Sequence, residues 1–272
     1  MERDLLQREI VALEIAPKFK HWIHPGSAFY ASQTGDLHRL FEESLIFGEY
    51  YRSALQNKFS LKGRFSMVDT GTFQRLGGTS DALGFTDKKK GQAFLVEFFK
   101  RGVSSIEGAI HEGLHLISFP LKGATDQDLA FAKRYGYPLM EAVTQYFTRI
   151  MMIEAGLKNW KTNVYQAKIN KYLKPFFKAF NLLQFSIENR LKVLCELVFK
   201  NNLKFFIGCL ELQLGAVNNS VPKNELPNWT NKLDLIFARR MFDEAVKFIE
   251  FFIQKDYKQA EAIFAKALAA KS

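Results

Sequence analysis

Cysteine is nearly absent from this chain: Cys195 and Cys209 are the only two in 272 residues. Both fall in apolar segments of helical spacing and read as buried free thiols rather than as a disulfide or metal ligands. Such usage suits a reducing compartment. No uninterrupted apolar run reaches the roughly 18 residues that a membrane-spanning helix needs. The first residues, Met1 to Glu9, are charged and lack the apolar core of a secretory signal. The expectation is a cytoplasmic protein, or one exported without a recognisable N-terminal signal. A basic stripe interleaved with aromatics is also missing, although net charge is +10 and the isoelectric point about 9.4. The lysines are scattered, and the one run, Lys88-Lys89-Lys90, precedes Gly91 and reads as a turn. A solvated surface is the expectation for this charge, with a nucleic-acid or anionic binding patch as the alternative.

What is present is apolar surface. Hydrophobic residues make up 47% of the chain and phenylalanine alone supplies 27 residues, enough for one large domain or a domain with an appendage. Apolar positions Leu37, Leu40, Phe41, Leu45 and Leu55 predict one helix from Asp36, its N-cap, to about residue 56. His21 and His24 stand three apart, but Pro25 and Gly26 break a helix there and leave them a packing or surface role. Alternation predicts strands over residues 64–69, 82–87 and 92–99, the last two forming a hairpin about the lysine turn. Ser104-x-x-Glu107 then forms a capping box for a largely apolar helix that Pro120 ends. A second apolar helix starts at Pro138.

Residues 160–180 and 187–214 read as helical, with breaks at Asn181 and at Asn201-Asn202. A loop follows near 215–230, and Thr230 is the expected cap of the last helical stretch. Residues 242–268 form a two-helix unit similar to a single tetratricopeptide repeat, which must pack on the body because one repeat cannot bury its own faces. A protein partner for these C-terminal helices is the alternative use. The expected fold is α+β and predominantly helical, with a small antiparallel or mixed sheet before the capped helix. Its expected parts are residues 1–156 and 157–272.

The capped helix carries His111-Glu112-Gly113-Leu114-His115, an H-E-x-x-H motif. Positions i and i+4 share one helix face, so His111 and His115 can bind one ion, with Glu112 beside them to take a proton from water. Chance alone supplies this pattern in roughly one chain per hundred of this length. Glu141, near the start of the following helix, is the single acid among apolar neighbours. A first-turn glutamate is favoured by the helix dipole whatever its role. With the histidine pair upstream, it is also the candidate third ligand.

These residues resemble the zincin metallopeptidases, in particular the gluzincin branch. Met140 to Thr148 is also similar to the N-E-G-x-T-E-Y-x-T segment of some bacterial zincin-like proteins. Here Met140, Ala142 and Gln145 replace the asparagine, the glycine and the second glutamate, and no presumed ligand is lost. The similarity covers roughly residues 80 to 150. It implies one zinc ion per chain held by His111, His115 and Glu141, with Glu112 as the general base of a peptidase acting on a peptide or protein substrate. Tyr146 and Tyr165 are the candidates for an oxyanion donor, and Tyr146 stands about 140° around the helix from Glu141. Thr144 or Asp81 is the expected acceptor for a ligating imidazole's second N–H. Strand 92–99 is the expected edge for pairing with an extended peptide. Two other classes compete with the enzyme: a helical binding or scaffold protein with a closed structural zinc, and a basic nucleic-acid-binding protein whose retention would depend on salt.

Overall fold

The computed structural model describes residues 36–56, 60–79, 82, 84–87, 90–96, 102–118, 130–156 and 166–270. His21, His24, Asp81, Pro120 and Tyr165 lie outside them. The architecture is α+β and mostly helical, with one small mixed sheet. Contacts divide the described chain into two units, one of residues 36–118 and 144–156, the other of 130–143 and 166–270. The division falls inside one continuous helix, Tyr137–Glu154.

The first unit opens with α1 (Asp36–Glu43) and α2 (Gly48–Gln56), where a single helix was expected. The break is at Ser44. Its hydroxyl accepts from the Phe47 N–H at 3.0 Å and donates to Glu154 at 2.6 Å, while the Leu45 N–H donates to the same buried carboxylate. Burying that carboxylate requires several donors, and the turn at Ser44 supplies two of them.

Strand β1 (Phe65–Val68) is followed by α3 (Thr70–Arg75), then β2 (Gly84–Asp87) and β3 (Gln92–Val96). Asp69 caps α3 through Thr72. The sheet order is β1-β3-β2, with β1 parallel to β3 and β2 antiparallel to it. The hairpin register pairs Phe85 with Phe94 and Asp87 with Gln92. Gly91 takes φ +61° in the turn, and the Lys90 N–H donates to the Asp87 carboxylate. Strand β3 is therefore central, flanked on both sides, and cannot serve as the edge for an extended peptide. Among the described residues the outer strands of the sheet are β1 and β2.

Helix α4 (Gly102–Ser118) packs on β2 and β3. It begins two residues before Ser104, which is therefore inside the helix rather than its N-cap, and Glu107 turns to Gln145 instead. Every residue from Ile106 to Ser118 is buried. Gly113 lets Phe41 of α1 close in, since a Cβ there would meet its ring at 2.8 Å.

The second unit holds α5 (Ala130–Tyr135), the opening turns of α6 (Tyr137–Glu154) with Pro138 in its first turn, and the remaining helices. Residues Gln166–Lys168 form α7, a π turn spans Ile169–Leu173, and α8 covers Lys174–Leu182. Pro175 cannot donate a backbone bond, and the Lys174 N–H reaches back to the Ile169 carbonyl. Helix α8 ends one residue after Asn181, beside the expected break. After it come α9 (Ile187–Phe199), α10 (Leu203–Val217), α11 (Leu226–Ala238), α12 (Phe242–Ile253) and α13 (Tyr257–Ala269). Asn202 caps α10 through the Phe205 N–H. Thr230, expected as a cap, lies inside α11 and bonds back to the Leu226 carbonyl.

Phenylalanine builds this unit's core, where Phe176 meets Phe180, Phe237 and Phe242 at ring distances of 4.7, 5.2 and 5.8 Å. The pair α12 and α13 packs through α12 on α8, the arrangement a lone helical repeat requires. Cys195 is buried and Cys209 half-buried, both as free thiols. No described helix is long and apolar enough to cross a membrane.

Candidate metal centre

Helix geometry brings the two histidines together. Their rings meet edge to face with centroids 4.8 Å apart, and their Nε2 atoms lie 3.1 Å from each other. Two nitrogens bound tetrahedrally at about 2.0–2.1 Å would be about 3.3 Å apart. The pair is thus already at the spacing a shared ion imposes. Glu141 of α6 joins them, and one ligand atom from each of His111, His115 and Glu141 lies within 4.8 Å of the other two. Two imidazoles and a carboxylate form a donor set that fits a borderline-soft divalent cation. This group could hold a metal ion.

His111, Glu112 and His115 are only 2%, 4% and 6% exposed, while Glu141 is half-buried. Buried imidazoles and carboxylates need partners, and α6 supplies those of His111. Gln145 stands one turn after Glu141 and brings Oε1 to 3.0 Å from His111 Nδ1. Its Nε2 donates to Glu107 at 2.5 Å. Thr148, almost a turn further on, places its hydroxyl oxygen 3.4 Å from the same Nδ1 and donates to the Thr144 carbonyl at 2.8 Å. The acceptor for His111 is therefore Gln145, with Thr148 beside it. Thr144 contributes through its backbone.

Glu112 faces the sheet. The Thr86 hydroxyl on β2 donates to Glu112 Oε2 at 2.7 Å. Two residues earlier on that strand, Gly84 leaves the space that Glu112 occupies. A Cβ at Gly84 would lie 2.9 Å from Glu112 Cγ and 3.2 Å from Oε1. Strand β2 thus holds one carboxylate oxygen and leaves room at the other.

Tyr146 is buried in α6 with its ring 6.0 Å from that of Phe147. It stands about 100° around the helix from Gln145, off the face that addresses His111. Sequence reasoning gave Glu107 only a capping role and singled out neither Thr86 nor Gly84. Gln145 carried a readable signal, since i and i+4 put it on Glu141's face. Comparisons of the chain with protein-family models, curated proteins and solved structures return no match.

Proposed function

We propose that the chain is a zinc-dependent metallopeptidase of gluzincin type, holding one zinc ion through His111 Nε2, His115 Nε2 and Glu141. The observation that carries this reading is a three-ligand cluster with a buried carboxylate, Glu112, next to it in sequence and oriented by a separate element. A zinc ion held by His111, His115 and Glu141 would acidify a bound water and polarise an amide carbonyl. Glu112 is the general base. Thr86 holds the carboxylate through Oε2, and Glu112 returns the proton to the leaving amine nitrogen. Burial of His111, His115 and Glu112 strengthens their electrostatic contacts. An extended peptide substrate pairs with β2, the sheet edge nearest Glu112.

The test is metal analysis joined to two substitutions. Purified protein should carry one zinc per chain and cleave unstructured protein substrates, and His111→Ala should abolish both. Glu112→Gln should keep the zinc and lose hydrolysis. A wild type that binds no zinc, or a Glu112→Gln variant with full turnover, removes the reading. Zinc retained without hydrolysis of any peptide would favour a binding or scaffold protein with a structural ion.

A further inference from the structure

We propose that Glu107, which lies outside the H-E-x-x-H motif, is a positioning residue of the metal centre: acting through Gln145, it determines which nitrogen of His111 carries the proton. The proposal rests on the metal-centre reading above and concerns how the protein prepares that centre.

Glu107 is 4% exposed and sits one turn before His111 on α4. An ionised carboxylate only accepts hydrogen bonds. Gln145 must therefore present its NH2 group to Glu107, as the 2.5 Å contact has it, which turns Oε1 towards His111. An amide oxygen also only accepts, so His111 must offer a protonated Nδ1 across the 3.0 Å contact. Thr148 cannot reverse that choice, because its hydrogen is committed to the Thr144 carbonyl. With Nδ1 protonated, the neutral ring has its lone pair at Nε2, the atom 3.1 Å from His115 Nε2. Without Glu107, the Gln145 amide could turn over and offer N–H to His111. The proton would then move to Nε2, and that tautomer cannot ligate.

The sequence shows the cost of the alternative. A glutamate at 145 would accept from His111 directly, but here it would face the Glu107 carboxylate, two acceptors at a donor–acceptor spacing. Glutamine at 145 and glutamate at 107 are thus one solution, and their exchange is another. In the exchanged pair, Glu at 145 accepts from both His111 Nδ1 and the new amide at 107.

Three variants test this: Glu107→Gln, Gln145→Glu, and the double exchange. Glu107→Gln keeps the shape but removes the acceptor-only constraint. Each single variant should weaken zinc binding by about 10–100-fold in a chelator competition, the usual cost of losing a ligand's support. The exchange should recover most of that loss. Independently of zinc, ¹⁵N spectra of metal-free protein should show His111 protonated at Nδ1 in the wild type and as mixed tautomers in Glu107→Gln. Recovery in the exchange separates positioning from a general folding defect, which two substitutions would deepen. The proposal is overturned if Glu107→Gln leaves both zinc affinity and the His111 signals unchanged. It is equally overturned if the exchange binds no better than Gln145→Glu, or if the wild-type imidazole is protonated at Nε2. A wild type that binds no zinc sinks the peptidase reading, while the tautomer measurement still decides the role of Glu107.

Discussion

Thr86 Oγ1 donates to Glu112 Oε2 at 2.7 Å, joining the sheet's edge strand to the second residue of the H-E-x-x-H motif. A hydrogen bond to a charged group contributes about 1.5–3 kcal/mol, and here it also fixes the orientation of the carboxylate. Thr86→Val should lower kcat about tenfold, equivalent to about 1.4 kcal/mol of barrier. Zinc content should be unchanged, because Thr86 touches no ligand. Steady-state kinetics beside metal analysis reads both, and an unaltered kcat would show that Glu112 needs no such support.

Gly84 makes the complementary prediction. A methyl group there would meet Leu95 Cδ2 at 2.8 Å and Glu112 Cγ at 2.9 Å. Overpacking of this kind costs about 1–3 kcal/mol. Gly84→Ala should lower the denaturation midpoint accordingly and depress hydrolysis further by displacing Glu112. Wild-type stability and turnover together would mean that β2 yields without cost.

His38 confers an acid-side sensitivity. The Tyr51 hydroxyl accepts from the Leu61 N–H at 2.9 Å and gives its own hydrogen to His38 Nδ1. Burial holds the imidazole pKa below its ordinary value, and Lys62 adds to the shift against an opposing pull from Glu42. The unfolded chain therefore binds this proton first as pH falls. Stability tied to neutral His38 is complete above about pH 6.5 and declines below it, towards the lowered folded value. Urea midpoints of wild type and His38→Gln should converge on acidification, and a gap that widens would reverse the sign.

Four helices end on a non-glycine residue in the left-handed region: Gln184, Asn201, Arg240 and Lys255, with φ between 52° and 62°. At Lys255 the surroundings are exposed and the helix is closed by Asp256 N–H to the Phe251 carbonyl and Lys255 N–H to the Phe252 carbonyl. This is the Schellman pattern that glycine normally occupies. Left-handed backbone costs a residue with a Cβ roughly 1–2 kcal/mol, partly offset by glycine's greater entropy in the unfolded chain. Lys255→Gly should stabilise by about 0.5–1 kcal/mol, measured by thermal or urea denaturation. No gain would mean that the lysine side chain contributes comparably.

Local pattern made much of this legible. The hairpin at Lys90-Gly91, the break at Asn201-Asn202 and the second helix at Pro138 are all short-range features that neighbouring residues decide. The break at Ser44 was not, because its partner Glu154 is 110 positions away. The helix end at Arg240 was hidden for a different reason, since it lacks the glycine that usually marks one. The central place of β3 was equally invisible: alternation identifies a strand, and only the pairing with β1 decides whether it is an edge.

The sequence by itself determined that His111 and His115 share one helix face, because 3.6 residues per turn is a local property of the backbone. It also placed Glu141 and Gln145 one turn apart on a second helix. That those two faces meet, with Gln145 turned by Glu107 towards His111 and Thr86 on Glu112, was decided by tertiary structure alone. Such contacts join residues 26 to 38 positions apart, and helical spacing carries no information across that distance. Packing supplies it, by burying each polar group only where a partner of matching hydrogen-bond character awaits.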